Sequence, residues 1–125
     1  MPIDYNDKIF RSLGSTAGGD VGTDTVFHYR QQERLVWATY HGGEVQYGTL
    51  IARVLEDDVL DMRYQHVTTS GALRTGRCRS VPQRLPDGRL HMQEQWAWTE
   101  GAAGAGNSEL EEIDRRETSL VDPAC

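Results

Sequence analysis

The sequence has little cysteine, a deficit of positive charge and no long apolar run. Its two cysteines, Cys78 and Cys125, are too few for a disulfide framework or for a four-thiolate zinc site. No base is evident beside Cys78, so we expect a buried structural thiol there. The chain of 125 residues is long enough to bury a core in one domain without such cross-links.

The charge balance disfavours a nucleic acid as the main partner. Lysine and arginine number 13 against 19 acidic residues, which gives a net charge of −6 and a pI near 5.1. Binding to phosphates depends on a basic patch that releases counterions. The one dense arginine run, "RTGRCR" (74–79), is more typical of a solvated strand face.

No segment of the sequence is typical of a membrane span or a secretory signal. The first ten residues, "MPIDYNDKIF", lack an apolar signal core, and no apolar run reaches about 18 residues. We therefore expect a soluble, cytoplasmic protein of bacterial type with no membrane partner.

Common catalytic and cofactor motifs are also missing. The sequence has no GxSxG elbow, no Walker-type phosphate loop and no histidine spacing such as HxH or HExxH. The glycine-rich "GAAGAG" (101–106) follows a strand pattern and opens no helix, so it is expected to be a flexible connector. We expect no cofactor and no metal.

Short runs typical of β-strands, separated by turn residues, fill most of the chain. Turn signals include "HGGE" (41–44) and "LPDGR" (85–89). No window has a strong helical period. The eight candidate strands are "KIFRSLG" (8–14), "TVFHYRQ" (25–31), "LVWATY" (35–40), "VQYGTLIARVL" (45–55), "VLDMRYQHV" (59–67), "ALRTGRCRSV" (72–81), "RLHMQEQWAWT" (89–99) and "SELEEI" (108–113).

Consecutive strands with hairpin-length turns predict an all-β, eight-stranded antiparallel up-and-down barrel of the lipocalin or avidin type. Closing the sheet removes both exposed edges, and an open or split barrel is the alternative. We expect one barrel domain over residues 1–113 and a disordered tail over residues 114–125. The interior of such a barrel is filled by side chains or holds one small ligand.

Alternation within each strand predicts which side chains enter the barrel. In 89–99, one face carries Leu90, Met92, Glu94, Trp96 and Trp98. An inward carboxylate requires a partner, a path to solvent or a role, because burial without compensation is costly. Glu94 is therefore the most informative residue of the chain.

The other strands add inward candidates of the same aromatic and polar kind. The predicted ligand-binding residues are Tyr29, Trp37, Met62, Tyr64, Trp96 and Trp98. Glu94 and His66 are the candidate catalytic residues if the protein is an enzyme. A set of this composition is suited to a small, partly apolar ligand.

Two strand faces stay open at this point. In 47–55, the face of Gly48, Leu50, Ala52 and Val54 is smaller and more uniform than the opposite face, so we favour it as the interior. In 72–80, Gly76 and Cys78 are favoured inside. The opposite register would bring Arg77 inward as a counter-ion for Glu94.

The sequence resembles a known family of small bacterial proteins through a series of motifs. These are "VFHYRQQERLVWATYHGGEVQYGTLIARV" (26–54), "LDMRYQHV" (60–67), "TGRC" (75–78), "LPDGR" (85–89) and "QWAWT" (95–99). The family is often labelled N-acetylglutamate synthase, and the resemblance covers roughly residues 5–113. Acetyl-CoA sites of the usual kind need a glycine-rich loop at a helix N-terminus. The nearest match, "RSLGST" (11–16), lacks the last small residue and a following helix.

Three functions are compatible with these patterns. The first is a small-molecule-binding barrel with an aromatic lumen. The second is a small barrel enzyme of the isomerase, cyclase or dehydratase type, in which Glu94 or His66 transfers a proton. The third is an oligomerising module with a packed lumen, associating as a homodimer through the strand at 47–55 because that strand carries apolar residues on both faces.

Overall fold

The computed structural model describes residues 2–16 and 18–113, which form a closed barrel of eight antiparallel strands. The strands are β1 Ile9–Ser15, β2 Val26–Gln32, β3 Leu35–Gly42, β4 Val45–Val54, β5 Leu60–Thr68, β6 Leu73–Arg84, β7 Leu90–Glu100 and β8 Ala105–Glu112, with a short 3-10 turn at Glu56–Asp58. Each strand pairs with its neighbours in the chain, and β1 pairs with β8 to close the sheet. The predicted up-and-down barrel is confirmed, and the open or split alternative is wrong. The disordered tail predicted for 114–125 lies outside the described residues.

The last strand begins earlier than the sequence predicts. Ala105 and Gly106 belong to β8, where they pair with Ala97 and Trp96 of β7. A methyl group on Gly106 would overlap the ring of Trp96. The glycine therefore gives the tryptophan ring space against the sheet, and the expected flexible connector is shorter than 101–106.

The two ends of the barrel differ in how they are closed. The lower end is the one that carries the β4–β5 connection. There the hydroxyl of Tyr5 donates a hydrogen bond of 2.6 Å to the carbonyl of Asp58. Fully buried apolar side chains fill the lumen above it, among them Phe10, Leu60, Leu90 and Leu110. The upper end carries the connections β1–β2, β3–β4, β5–β6 and β7–β8. A packed lower half leaves the upper half as the place for a site.

Most inward faces agree with the alternation in the sequence. Gly48, Leu50, Ala52 and Val54 of β4 are buried, as are Gly76 and Cys78 of β6. The side of β6 that carries Arg77 is exposed, so the alternative register, with Arg77 facing Glu94, is wrong. Among the described residues, no helix has the length and apolar character needed to cross a membrane.

The prediction that Trp37 faces the lumen is wrong. Trp37 lies on the outer face of β3 and is 39% exposed, whereas Val36, Ala38 and Tyr40 are buried. Residue size suggested the wrong face of β3. A tryptophan on the outer face of a barrel still packs against its cross-strand neighbour, so its size does not mark the inner face. That neighbour is Ile51 on β4, which is 56% exposed.

Candidate functional site

The upper half of the lumen encloses a cavity of about 40 Å³. The aromatic and apolar part of its wall is formed by Phe27, Tyr40, Leu50, Met62, Tyr64, Trp96 and Trp98, and its polar groups include Asp20, His66, Glu94 and Ser108. Because an ordered water needs roughly 10–15 Å³ of such space, this half-open cavity has room for about three waters or a fragment of that size. A larger ligand extends through the opening or requires part of the wall to move.

Three aromatic side chains of this wall each lie over a glycine of the adjacent strand. Tyr40 pairs with Gly48, and Trp96 pairs with Gly106. Tyr64 lies over Gly76 in the same way. A methyl group at any of the three glycines would overlap the facing ring. The glycines therefore let the rings lie flat against the sheet, which shapes the cavity wall.

Glu94 is buried in the wall of the cavity and is only 8% exposed. Its Oε1 accepts a hydrogen bond of 3.1 Å from the hydroxyl of Ser108. Ser80 is its cross-strand partner, but within the part of the chain that the structure describes the buried Ser80 hydroxyl makes no hydrogen bond of good geometry. Burial raises the pKa of Glu94 from its usual 4.5 to about 7, and the side chains of Ser80, Ser108 and Cys78 act in the opposite direction. The carboxyl can thus gain or lose a proton near neutral pH.

His66 has a hydrogen-bond partner on each ring nitrogen. The hydroxyl of Tyr40 lies 2.9 Å from Nδ1, and Oδ2 of Asp20 lies 2.8 Å from Nε2. A carboxylate only accepts hydrogen bonds, so Nε2 donates to Asp20. The hydroxyl of Tyr40 is bonded to Nδ1 and also lies 3.4 Å from the carbonyl oxygen of Gln65. Burial is the first cause of a pKa of Tyr40 well above its ordinary value, so its hydroxyl keeps its proton. The imidazole is fixed at both ends.

The aromatic rings near His66 hold it on two sides. The Tyr64 ring stacks on the imidazole with centroids 6.3 Å apart at 11°, and the Trp98 ring meets it edge-on at 5.6 Å. The guanidinium of Arg74 lies 5.7 Å from the centroid of the Trp98 ring, within cation–π range. The polar groups of the site are therefore placed against aromatic surfaces.

The structure brings together most of the residues that the sequence predicts for the site. Those that line the cavity are Met62, Tyr64, His66, Glu94, Trp96 and Trp98. Tyr29 faces the lumen as predicted but is fully buried beside Tyr5 and Phe10, in contact with their rings. Its hydroxyl makes no hydrogen bond to residues 2–16 or 18–113. Trp37 lies outside the barrel and takes no part. That any of these residues binds a ligand stays a prediction.

The sequence reasoning missed two residues that complete the site. An inward Trp37 implies, by alternation, an outer face for Val36, Ala38 and Tyr40. The glycine opposite Tyr40 at position 48 is the signal that could have placed the tyrosine inside. Asp20 lies in a stretch that looks like a plain loop, "STAGGDVGTD" (15–24). Its contact with His66 spans 46 positions of sequence, and no local pattern predicts it.

Cys78 is a buried thiol, as expected from the sequence. It is 6% exposed and lies beside Glu94 in the cavity wall. Burial is the main cause of a thiol pKa raised well above its ordinary value, and the nearby Glu94 carboxyl adds to the effect. The thiolate is therefore disfavoured, and Cys78 does not have the character of a nucleophile.

Comparison with known proteins identifies one related family. The model of the family described as "Avidin-like protein" matches residues 3–113. No curated protein and no solved structure matches the chain. The family match neither supports nor refutes the N-acetylglutamate synthase label of the proteins that the sequence resembles.

Proposed function

This chain belongs to the avidin-like protein family, and we propose that it binds a small, partly apolar molecule in the upper half of its barrel. Eight-stranded barrels of this kind have an interior that holds one small ligand. The observation that carries the proposal is the cavity itself, with aromatic walls and a few fixed polar groups. Sites for small molecules commonly have this composition.

The wall residues have different roles in this proposal. Met62, Trp96 and Trp98 supply the apolar surface against which the body of the ligand packs. Tyr64 adds an aromatic face that is partly accessible from the cavity. Glu94 supplies a hydrogen bond that fixes the orientation of the ligand, and His66 supplies a second where Nε2 exchanges Asp20 for the ligand. Glu94 acts as a donor when protonated and as an acceptor when ionised, so its role depends on pH.

Native mass spectrometry of gently purified protein tests this proposal. We expect a retained small molecule at one copy per chain, and we expect it to be lost in Trp96→Ala. The matched control is Trp37→Ala, which removes a tryptophan from the outer face of the barrel and leaves the cavity unchanged. If both variants retained the same molecule, the lumen would be contradicted as the site. A bare protein mass in every preparation, including those titrated with small aromatic compounds, would contradict it as well.

Catalysis is the second candidate, favoured by the raised pKa of Glu94. A carboxyl with a pKa of about 7 can accept and return a proton at neutral pH, as isomerases and dehydratases require. The test is the chemical identity of the bound molecule after incubation. Conversion by the wild type but not by Glu94→Gln, with binding retained in both, would establish proton transfer by Glu94, and His66 would be examined in the same way.

Self-association through the outer face of β4 is a further part of the proposal. Trp37 and Ile51 pair across β3 and β4 on the outside of the barrel, and Leu35 and Tyr47 add exposed apolar surface nearby. Exposed apolar patches of this kind commonly mark a contact with another chain. The homodimer expected from the sequence would bury this pair. The cytoplasmic location stays a prediction.

A further inference from the structure

A segment that follows β1, residues 18–25, closes the upper end of the barrel over the cavity. Gly19, Asp20 and Val21 form part of the cavity wall. The carbonyl of Gly18 accepts a hydrogen bond of 3.0 Å from Nε1 of Trp98. The carbonyl of Val21 accepts one of 3.3 Å from the hydroxyl of Ser15. Gly18 and Val21 are thus each tied to the barrel by one of these hydrogen bonds. The end of the segment is anchored more firmly, because Thr25 is fully buried and its hydroxyl donates to the carbonyl of Gly42.

The side chain of Asp20 is the part of this segment that reaches furthest into the polar side of the cavity. It is 8% exposed, and its Oδ2 lies 2.8 Å from Nε2 of His66 and 3.2 Å from Nε of Arg74. A buried carboxylate between an imidazole and a guanidinium is a recognition arrangement for an anion. Here the carboxylate between the imidazole and the guanidinium belongs to the protein itself, at Asp20.

The fit of Asp20 to this arrangement is incomplete. One carboxylate oxygen is shared by two donors. Nε of Arg74, although at ion-pair distance, has no hydrogen bond of good geometry to any of the described residues. A carboxylate that is free to rotate could present one oxygen to each donor, because arginine binds carboxylates best in a bidentate manner. The site would therefore accept an incoming carboxylate at least as well as it accepts Asp20.

The surroundings of this anion position are aromatic. Tyr64 and Trp98 contact the His66 ring, and the Trp96 ring lies 5.4 Å from that of Trp98. A ligand whose anionic group met His66 and Arg74 would place its remaining atoms against these rings. Its body must then be apolar or aromatic.

We infer that Asp20 occupies the place of a carboxylate group of the ligand, which takes over His66 and Arg74 when residues 18–21 move aside. This inference rests on the proposed function and names its ligand class: a small aromatic or apolar carboxylic acid. Asp20 is then an internal competitor that occupies the site in the absence of ligand. Movement of residues 18–21 also enlarges the cavity, because Gly19, Asp20 and Val21 form part of its wall.

Chemical rescue tests the inference directly. Asp20→Ala removes the internal carboxylate and leaves His66 and Arg74 without it. We expect sodium acetate to raise the Tm of this variant by about 5 °C at ten times its dissociation constant. Acetamide should not raise the Tm of this variant, and neither should sodium chloride at the same ionic strength. Asp20→Ser, which keeps a small polar group, serves if the alanine variant does not fold.

Wild type and Asp24→Ala are the matched controls. Asp24 is an exposed acid of the same segment, so its removal changes the charge but not the anion position. In neither control should acetate raise the Tm by more than chloride does. An equal response to acetate and acetamide in Asp20→Ala, or an equal acetate response in Asp24→Ala, would overturn the inference and leave Asp20 as a structural tie.

A second measurement separates this inference from the proposed function. Benzoate and its neutral analogue benzamide are titrated into wild type and Asp20→Ala, with tryptophan fluorescence as the readout. We expect benzoate to bind Asp20→Ala at least tenfold more tightly than it binds wild type, with benzamide unchanged. Equal binding of both compounds in both proteins overturns the inference and supports a neutral-ligand lumen. Binding of neither compound in either protein contradicts the lumen site, and the inference with it.

Discussion

Tyr40 and Gly48 face each other across β3 and β4, and the tyrosine ring lies directly over the glycine. The ring is 1% exposed and stacks on Phe27 with centroids 4.8 Å apart. Its hydroxyl meets Nδ1 of His66. One glycine thus fixes the position of a ring that in turn fixes the imidazole of the site.

Gly48→Ala is expected to destabilise the barrel and to disturb His66. The added methyl group overlaps the Tyr40 ring, and overpacking of this kind costs about 1–3 kcal/mol. Chemical denaturation measures the loss of stability, and the ¹⁵N resonances of the His66 ring report the change at Nδ1. Gly22→Ala is the control, because a methyl group there meets no atom within 4 Å. Equal stabilities of the two variants would contradict the packing described.

Glu94 is expected to make the protein less stable as the pH rises towards neutral. Its pKa is about 7 in the folded protein against 4.5 ordinarily, so between these values the folded chain holds a proton that the unfolded chain has released. Stability from this group is therefore fully present below about pH 4.5 and is lost as the pH rises through 7. The loss is about 3 kcal/mol.

Glu94→Gln removes the titrating group and with it this part of the pH dependence. Urea denaturation of both proteins from pH 5 to pH 8 measures the difference. Glu44→Gln, at an exposed position in the β3–β4 turn, is expected to follow the wild-type curve. If wild type and Glu94→Gln change in parallel over this range, the pKa of Glu94 is not raised by burial.

Trp98→Phe is expected to loosen residues 18–25 without unfolding the barrel. The substitution keeps an aromatic ring but removes the hydrogen bond from Nε1 to the carbonyl of Gly18. A hydrogen bond of this kind contributes about 1 kcal/mol, which corresponds to roughly fivefold faster exchange of the amides it protects. Hydrogen exchange of the segment measures the change, with Trp37→Phe as control. Identical exchange in the two variants would show that this hydrogen bond does not restrain the segment.

Cys78 is expected to be unreactive in the folded protein. Burial both blocks access to the thiol and raises its pKa above the ordinary range. In a Cys125→Ser background, a thiol reagent such as DTNB at pH 8 should label the chain only when guanidinium chloride unfolds it. Labelling within minutes under native conditions would contradict the burial of this side chain.

Ile51→Glu is expected to weaken self-association. It puts a charge in the exposed apolar pair formed with Trp37 on the outside of β3 and β4. Light scattering after size-exclusion chromatography should give an oligomer mass for wild type and a smaller mass for the variant. Leu73→Glu, at an apolar residue that is 76% exposed at the start of β6, is the control. A monomeric wild type at high concentration would argue against this interface.

The fold could be predicted from the sequence because barrel strands alternate strictly and their turns are marked by glycine, proline and acidic residues. Alternation in β7 places Glu94, Trp96 and Trp98 inside without further information. In β3 the same rule gives two faces, and a large residue on the outer face, Trp37, made the wrong one look like the core. The glycine opposite Tyr40 at position 48 of β4 gives the tyrosine ring its place inside, and no property of β3 alone reveals it.

The closing part of the site could not be predicted for a different reason. Asp20 reaches His66 because the barrel brings two distant parts of the chain together at its upper end. Its own neighbours in sequence are glycines and small polar residues that have no periodic pattern. Contacts made by a connecting segment depend on the shape of the whole barrel, so they emerge only from the structure.

The most direct test of the lumen as a binding site uses the three tryptophans of the chain. Trp96 and Trp98 line the cavity, whereas Trp37 lies on the outer face. Their indole N–H resonances are followed by two-dimensional ¹H–¹⁵N NMR during titration with small aromatic carboxylic acids and the matching amides. We expect the Trp96 and Trp98 resonances to shift and saturate together while that of Trp37 stays in place. A shift confined to Trp37, or no shift with any compound, would contradict binding in the lumen.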